Sequence, residues 1–246
     1  MDLDVFMSIE WPLLVLAVAA LLIAGVVQGS AGFGFNMLAA PVLAVIDPIF
    51  VPGPMLIIAG LVSVGGAVRE AASIDGKGLG FSLAGRVIAA VLAVLCLGLL
   101  EEATFSLLFG AIVLIAVLLS LFGPRIAATP GTLFAAGAAS GFMGTLTSIG
   151  APPMAIAYQN SDGPVMRSTL NAFFVVGTAI SIVALFVSGN AGWGDLALAA
   201  VLAPFAFIGF LFSRWGKAFV DKGRVRTVVL AVSTFSALVL IARQLI

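Results

Sequence analysis

Long apolar runs follow one another along the whole chain, separated by glycine, proline and small clusters of charge. Ten segments can be read at about 11–28, 33–46, 50–68, 79–100, 103–122, 130–143, 144–158, 164–188, 194–213 and 225–244. A helix needs about 20 residues to cross the hydrocarbon core of a bilayer. The longer segments are long enough, whereas 33–46, 130–143 and 144–158 fall short and read as parts of helical hairpins that stop near the midplane. In lipid each backbone polar group must be bonded within the protein, which leaves helices or a closed barrel. The runs lack the alternation of barrel strands, so the pattern predicts an all-α polytopic membrane protein.

Composition agrees. Of the 246 residues 62% are hydrophobic and 9% charged, and mean hydropathy is +1.27, against roughly one-quarter charged in a soluble domain. Basic and acidic residues number 11 each, so nothing favours a nucleic-acid partner. The acidic stretch before the first segment argues against a cleaved signal peptide. Between Ser213 and Thr227 stand Arg214, Lys217, Lys222, Arg224 and Arg226, and the positive-inside rule puts that connection in the cytoplasm. Threading back places Arg69, Lys77, Arg125 and Arg167 on the same side. Asp47, Glu101, Glu102, Asp195 and both termini fall outside the cytoplasm, with Arg86 and Arg243 as the exceptions.

The two halves share a skeleton. At an offset of 112 residues Gly29 matches Gly141, Gly32 matches Gly144, Pro41 matches Pro153 and Pro52 matches Pro164. Five segments per half is an odd number, so residues 1–122 and 123–246 are expected to be inverted repeats within one membrane domain. The charges point the same way: an acidic connection precedes the last segment of the first half, and a basic one precedes the last segment of the second. Transporters built this way bind cargo where broken helices meet near the midplane.

The breaks also hold the polar residues. The first reads Gln28-Gly-Ser-Ala-Gly-Phe-Gly-Phe-Asn36, the second Ser140-Gly-Phe-Met-Gly-Thr-Leu-Thr-Ser148 followed by Ile149-Gly-Ala-Pro-Pro153. A broken helix offers free N–H groups and the positive end of its dipole, which together suit an anion. The candidate ligands are Gly29, Ser30, Gly32, Gly34 and Asn36 from the first break, and Gly141, Gly144, Thr145, Thr147, Ser148 and Gly150 from the second. Any one glycine alone reads as a close helix contact; the paired breaks read as a site. Asn171 is either a ligand or an interhelical bond, and Gln28 and Gln159 lie at the motif edges. Arg86, inside segment 79–100, either attracts an anion or snorkels to the cytoplasmic interface. Trp11, Trp193 and Trp215 fall at interfaces, as aromatic-belt residues do.

With no His, one Cys, no acid beside either break and no Walker motif, hydrolysis, metal catalysis and ATP-driven pumping lack their residues. No enzyme activity and no cofactor are expected. The run GSAGFGFNMLAAP, echoed by GFMGTLTSIGAPP, resembles the sulfite exporter TauE/SafE family over essentially the whole chain. That resemblance implies a bacterial inner-membrane permease exporting sulfite or a small organosulfonate. It also carries the glycine-rich breaks over to Gly29, Gly32, Gly34, Gly141, Gly144 and Gly150, with Pro41, Pro152 and Pro153. Alternating access between the breaks is the leading expectation. A passive anion channel, an uptake permease and a non-transporting scaffold remain alternatives. Lipid is the surrounding partner, and homo-oligomerisation is compatible with so small a body but specified by no motif.

Overall fold

The computed structural model describes residues 9–220 and 224–245, with side chains at all of these except 102, 214–220, 224–226 and 245. The described residues form ten α-helices and two short 3-10 turns. The first half contributes α1 (Trp11–Ala31), α2 (Phe35–Ile46), α3 (Gly53–Arg69), α4 (Gly76–Leu97) and α5 (Glu102–Phe122). The second contributes α6 (Pro130–Thr147), α7 (Ala151–Ala157), α8 (Gly163–Val187), α9 (Trp193–Val220) and α10 (Arg224–Leu245). Among the described residues six helices combine the length and apolarity to span a membrane: α1, α4, α5, α8 and the apolar parts of α9 and α10. Helix α9 runs on to Val220, so much of the basic connection expected as a loop is helical. The basic side chains of that connection, Trp215 and both termini lie outside the described residues.

Helix starts follow local chemistry. Proline occupies the first turn of α1, α3, α6, α7 and α8, where its missing N–H is no loss and its φ already fits a helix. Thr129 and Thr132 close a capping box on α6, and Asp75 accepts the Gly78 N–H at the start of α4. Each such bond satisfies an end group that lipid cannot.

The breaks sit later in the chain than glycine spacing suggests. Helix α1 continues through Gly29 and ends at Gly32, with Gly32 and Gly34 at φ +84° and +104°. The left-handed region is open to glycine at little steric cost. Helix α6 passes through both Gly141 and Gly144, so the expected division at 143/144 is replaced by one at Ser148–Gly150. There Ser148 takes φ +66°, uncommon for a residue with a β-carbon. Two bonds hold it: its N–H donates to the Gly144 carbonyl at 2.8 Å and its Oγ to the Pro52 carbonyl at 2.8 Å. A glycine inside a helix only weakens it, whereas Pro152 and Pro153 forbid continuation of α6 because they remove two ladder donors.

The most extensive packing joins helices from opposite halves: α4 on α6, α1 on α9, and α3 on α8 between them. Helices α5 and α10 pack together at one side. The apolar core runs through α1, α2, α3, α5, α9 and α10. Outward faces carry bare Ile88, Leu95, Val183 and Phe235, the surface that hydrocarbon covers. Trp11 and Trp193 are exposed at helix starts, as interfacial anchors would be, and Cys96 is a free, half-buried thiol.

Charges separate to two ends. At one, Arg167 pairs with Glu70, the Asp75 N–H donates to Thr169, Tyr158 donates to Asp75 and Gln159 to the Pro124 carbonyl. At the other, Asp195 lies against Gly53, and Arg243 donates to the Val45 carbonyl beside Asp47.

Candidate functional site

The two breaks meet. Asn36, in the first turn of α2, donates through Nδ2 to the Ser148 carbonyl at 2.8 Å, and these residues correspond under the 112-residue offset. Around them lies a cavity of about 30 Å³, bounded by Gly34 and Asn36 from the first break and by Gly144, Ser148 and Gly150 from the second. A single water requires about 10–15 Å³ on this measure, so the space suits a group of a few heavy atoms. The pair that touches is Asn36 and Ser148. Gly32, the counterpart of Gly144 under the offset, lines a neighbouring cavity instead.

Arg86 reaches this cavity from α4. Only 1% of its surface is exposed, so the snorkelling expectation fails and the guanidinium stays inside the bundle. Nη1 donates to Ser140 at 3.4 Å, Nη2 to Ser181 at 3.1 Å, and the group lies 5.1 Å from the centre of the Phe173 ring. Its Nε has no partner. Neither bond goes to an acid, so among the described residues no carboxylate compensates the positive charge. An arginine at the centre of a membrane helix costs about 2.5–3.5 kcal/mol on insertion scales. Two hydroxyls and a ring face offset part of that; an anion in the adjoining cavity would offset the rest.

Glycines admit this side chain. A β-carbon on Gly141 would lie 2.8–2.9 Å from Arg86 backbone atoms, and one on Gly177 would overlap the guanidinium stem. At Gly144 a β-carbon would sit at ordinary contact distance, 3.6 Å from Nη1 and Nη2 and 3.4 Å from Gly150. Gly141 and Gly177 therefore make room for Arg86 itself, while Gly144 leaves space beside its charged end.

The donors are distributed unequally. In the first turn of α2 only the Phe35 N–H is taken by a side chain, Gln28 Oε1, at 3.2 Å. Helix α7 opens Ala-Pro-Pro, so two first-turn positions have no N–H at all. The backbone donors expected from both breaks thus come mainly from the first, and Arg86 stands on the side where they are missing. The cavity also holds an acceptor, since the buried Asn36 Oδ1 has no partner.

A second, smaller cavity of about 10 Å³ lies toward the Glu70–Arg167 end, lined by Gln28, Gly29, Gly32, Asn171, Arg69 and the ion pair among others. Gln28 borders both cavities. Its Nε2 donates to Asn171 Oδ1 at 3.0 Å, and to the Gly32 carbonyl and Ser63 Oγ at 3.3 Å each. Asn171 donates back to the Gly32 carbonyl at 3.0 Å and to the Arg167 carbonyl at 2.7 Å. Asn171 is therefore an interhelical bond at the partition between the two spaces.

Other candidates have structural positions. Gly29 packs on Ser213 and Phe210 of α9, and the Ser30 Oγ donates to the Ser213 carbonyl. Thr145 bonds Ser181 at 2.8 Å and so steadies a partner of Arg86. Thr147 accepts the Ile149 N–H inside the break. The Gln159 side chain bonds the exposed connection after α5, away from both cavities' lining. Sequence reasoning passes over Ser63, Thr178 and Ser181, single hydroxyls in apolar runs that carry no pattern, and leaves Ser140, which opens the second break, out of the candidate ligands; the Arg86 side chain identifies Ser140 and Ser181.

The family model described as Sulfite exporter TauE/SafE matches residues 17–240. The chain belongs to the sulfite exporter TauE/SafE family. It is thus a multi-pass membrane protein of a transporter family, and the match takes in both breaks, both cavities and Arg86. No curated relative and no solved structure matches this TauE/SafE chain.

Proposed function

We propose that this TauE/SafE protein exports sulfite or a small organosulfonate across the bacterial inner membrane by alternating access, with the anion held between the two breaks. The observation that carries the reading is Arg86: a buried guanidinium without an acidic partner, beside a small cavity bounded by both breaks. A low-dielectric site strengthens its attraction for an anion, and the first turn of α2 adds a helix dipole of the same sign. Cavity size favours the smaller cargo in this conformation. The unpartnered Asn36 Oδ1 suits a ligand that also carries a proton, such as hydrogensulfite, or an accompanying water. A purely apolar cargo would leave both Arg86 Nε and Asn36 Oδ1 unsatisfied.

Under the same proposal residues 1–122 and 123–246 are inverted repeats whose relative motion exposes the cavity to either side, with the basic end in the cytoplasm. The cross-half packing of α4 on α6 and of α1 on α9 supports this, because it gives each half an equivalent crossing. Proteoliposomes loaded with sulfite test it: saturable efflux in the unaltered protein and its loss in Arg86→Gln are expected. Non-saturable flux would favour a channel, and undiminished efflux in R86Q would remove the site.

A further inference from the structure

Between the central cavity and the Glu70–Arg167 end, the structure offers two closures in series. The inner one is the Gln28–Asn171 bond, in which Gln28 lines both cavities and Asn171 the smaller one. The outer one joins the C-terminal cap of α3 to the first part of α8: Arg167 Nε and Nη2 each donate to one oxygen of Glu70, at 3.0 and 2.5 Å. The pair is partly buried, at 29% and 23% exposure. The stem of Arg167 lies directly against Gly32, where a β-carbon would come within 2.7–2.9 Å of Cγ, Cβ and Cα. The first break, the Asn171 partition and the ion pair therefore bear on one another through atoms in contact.

Two parallel N–H···O bonds from one guanidinium form the geometry in which arginine takes any planar or tetrahedral oxyanion. Arg69 stands beside them, its Nη1 on the Gly29 carbonyl and its guanidinium 4.7 Å from the centre of the Phe210 ring; neither contact is to an acid. The smaller cavity thus has two guanidinium groups and a single carboxylate along its wall.

We infer that Glu70 occupies the seat of an arriving anion on Arg167, so that a sulfur oxyanion displaces it and in doing so opens the outer closure. The inference rests on the anion-transport reading above and adds to it a vestibular binding site and a cargo-operated gate. Displacement exchanges one bidentate partner of Arg167 for another and frees α3 from α8 at this end, while Arg69 supplies the second charge. Gln28 and Asn171 then have to part before the anion reaches Arg86. A cargo lacking negative charge cannot replace Glu70 and leaves the closure shut.

The test places a cysteine at Ser63, a buried hydroxyl that lines the central cavity and receives the Gln28 bond, in a Cys96→Ser background. Solubilised protein is labelled with the anionic thiol reagent methanethiosulfonate ethylsulfonate. Weakening a pair of this kind should shift the closed state by about three- to tenfold, and Glu70→Gln should speed labelling by that factor. Arg167→Gln, which breaks the same pair from the other side, should speed it likewise. Sulfite affinity, measured separately by calorimetry, should tighten in E70Q and weaken in R167Q. Folding of each variant is checked by its melting temperature. Labelling at the unaltered rate in both folded variants, or identical sulfite affinities in both, would overturn the gate. The same calorimetry on R86Q separates the two claims: lost central binding alongside unchanged E70Q behaviour removes only the gate, whereas sulfite affinity in R86Q equal to that of the unaltered protein removes the central site.

Discussion

Two helix crossings in this molecule are built alike and equipped differently. Where α6 crosses α4, Gly137 lies on Ser82, Gly141 on Arg86, and Gly85 on Phe134 and Ala138. Where α1 crosses α9, Gly25 lies on Ala206, Gly29 on Phe210 and Ser213, and Gly209 on Leu22. The third helix agrees too, since Gly177 of α8 leaves room for Arg86 as Gly65 of α3 does for Phe210. A guanidinium therefore stands at one crossing where a phenyl ring stands at the other. Small residues let the backbones approach in both, so the packing skeleton recurs while the charge does not. The charged crossing adjoins the break that Pro152 and Pro153 deprive of N–H donors. What the first break has in backbone donors and helix dipole, the second receives as a side chain, Arg86, which the first half also contributes.

The sharpest way to break this comparison is to equalise the crossings. Arg86→Met should reduce sulfite efflux at least about 100-fold, in line with losing a charged group from a dry site. The fold should survive. Burial of an unpaired charge costs more than two hydroxyl bonds return, so thermal stability should hold or rise by about 1 kcal/mol. A melting measurement on the purified variant checks the second half of that statement. Moving the charge instead, in the double variant Arg86→Phe with Phe210→Arg, should leave efflux absent, since the other crossing adjoins different donors. It should also lower stability by about 2–4 kcal/mol because a second guanidinium then sits near Arg69; restored efflux would mean the crossings are interchangeable.

Glycines on the charged side sharpen it further. Gly141→Ala pushes a methyl against Arg86 backbone atoms and should destabilise by about 1–3 kcal/mol, read as a lower melting temperature. Gly144→Ala meets its neighbours at contact distance and should melt normally while weakening sulfite affinity by about tenfold, worth 1.4 kcal/mol. Equal effects of the two on stability would show that Gly144 is a packing residue like Gly141. The smallest expected effect belongs to Asn36→Ala, which removes one bond across the breaks and should cost about 1 kcal/mol of stability with a few-fold loss of affinity.

Much of this was legible in the sequence, in proportion to how directly each property depends on pattern. Apolar runs and charge placement identify the helices, because lipid burial and interfacial charge act on composition. Recurring Gly29/Gly141 and Pro41/Pro153 announced paired breaks, and Asn36 and Ser148, both read as site residues, do meet. The position of the second break was misplaced by four residues, since the Gly-x-x-Gly step looks like an interruption until the partner helix that needs it is known. Arg86 could be read two ways for a related reason: whether a long cation reaches the interface depends on what blocks its route, here Phe173 and two hydroxyls from distant helices. Gln28 and the Glu70–Arg167 pair carry little signal in the sequence, because their importance lies in joining segments more than 90 residues apart.

The measurement closest to the central claim is the melting temperature of purified protein with and without sulfite, in the unaltered chain and in Arg86→Gln. Binding at 100 times the dissociation constant stabilises by about 2.7 kcal/mol, so sulfite should raise the melting temperature of the unaltered protein by several degrees and leave that of R86Q unmoved. An equal rise in both would contradict the assignment of Arg86 as the charge that holds the anion.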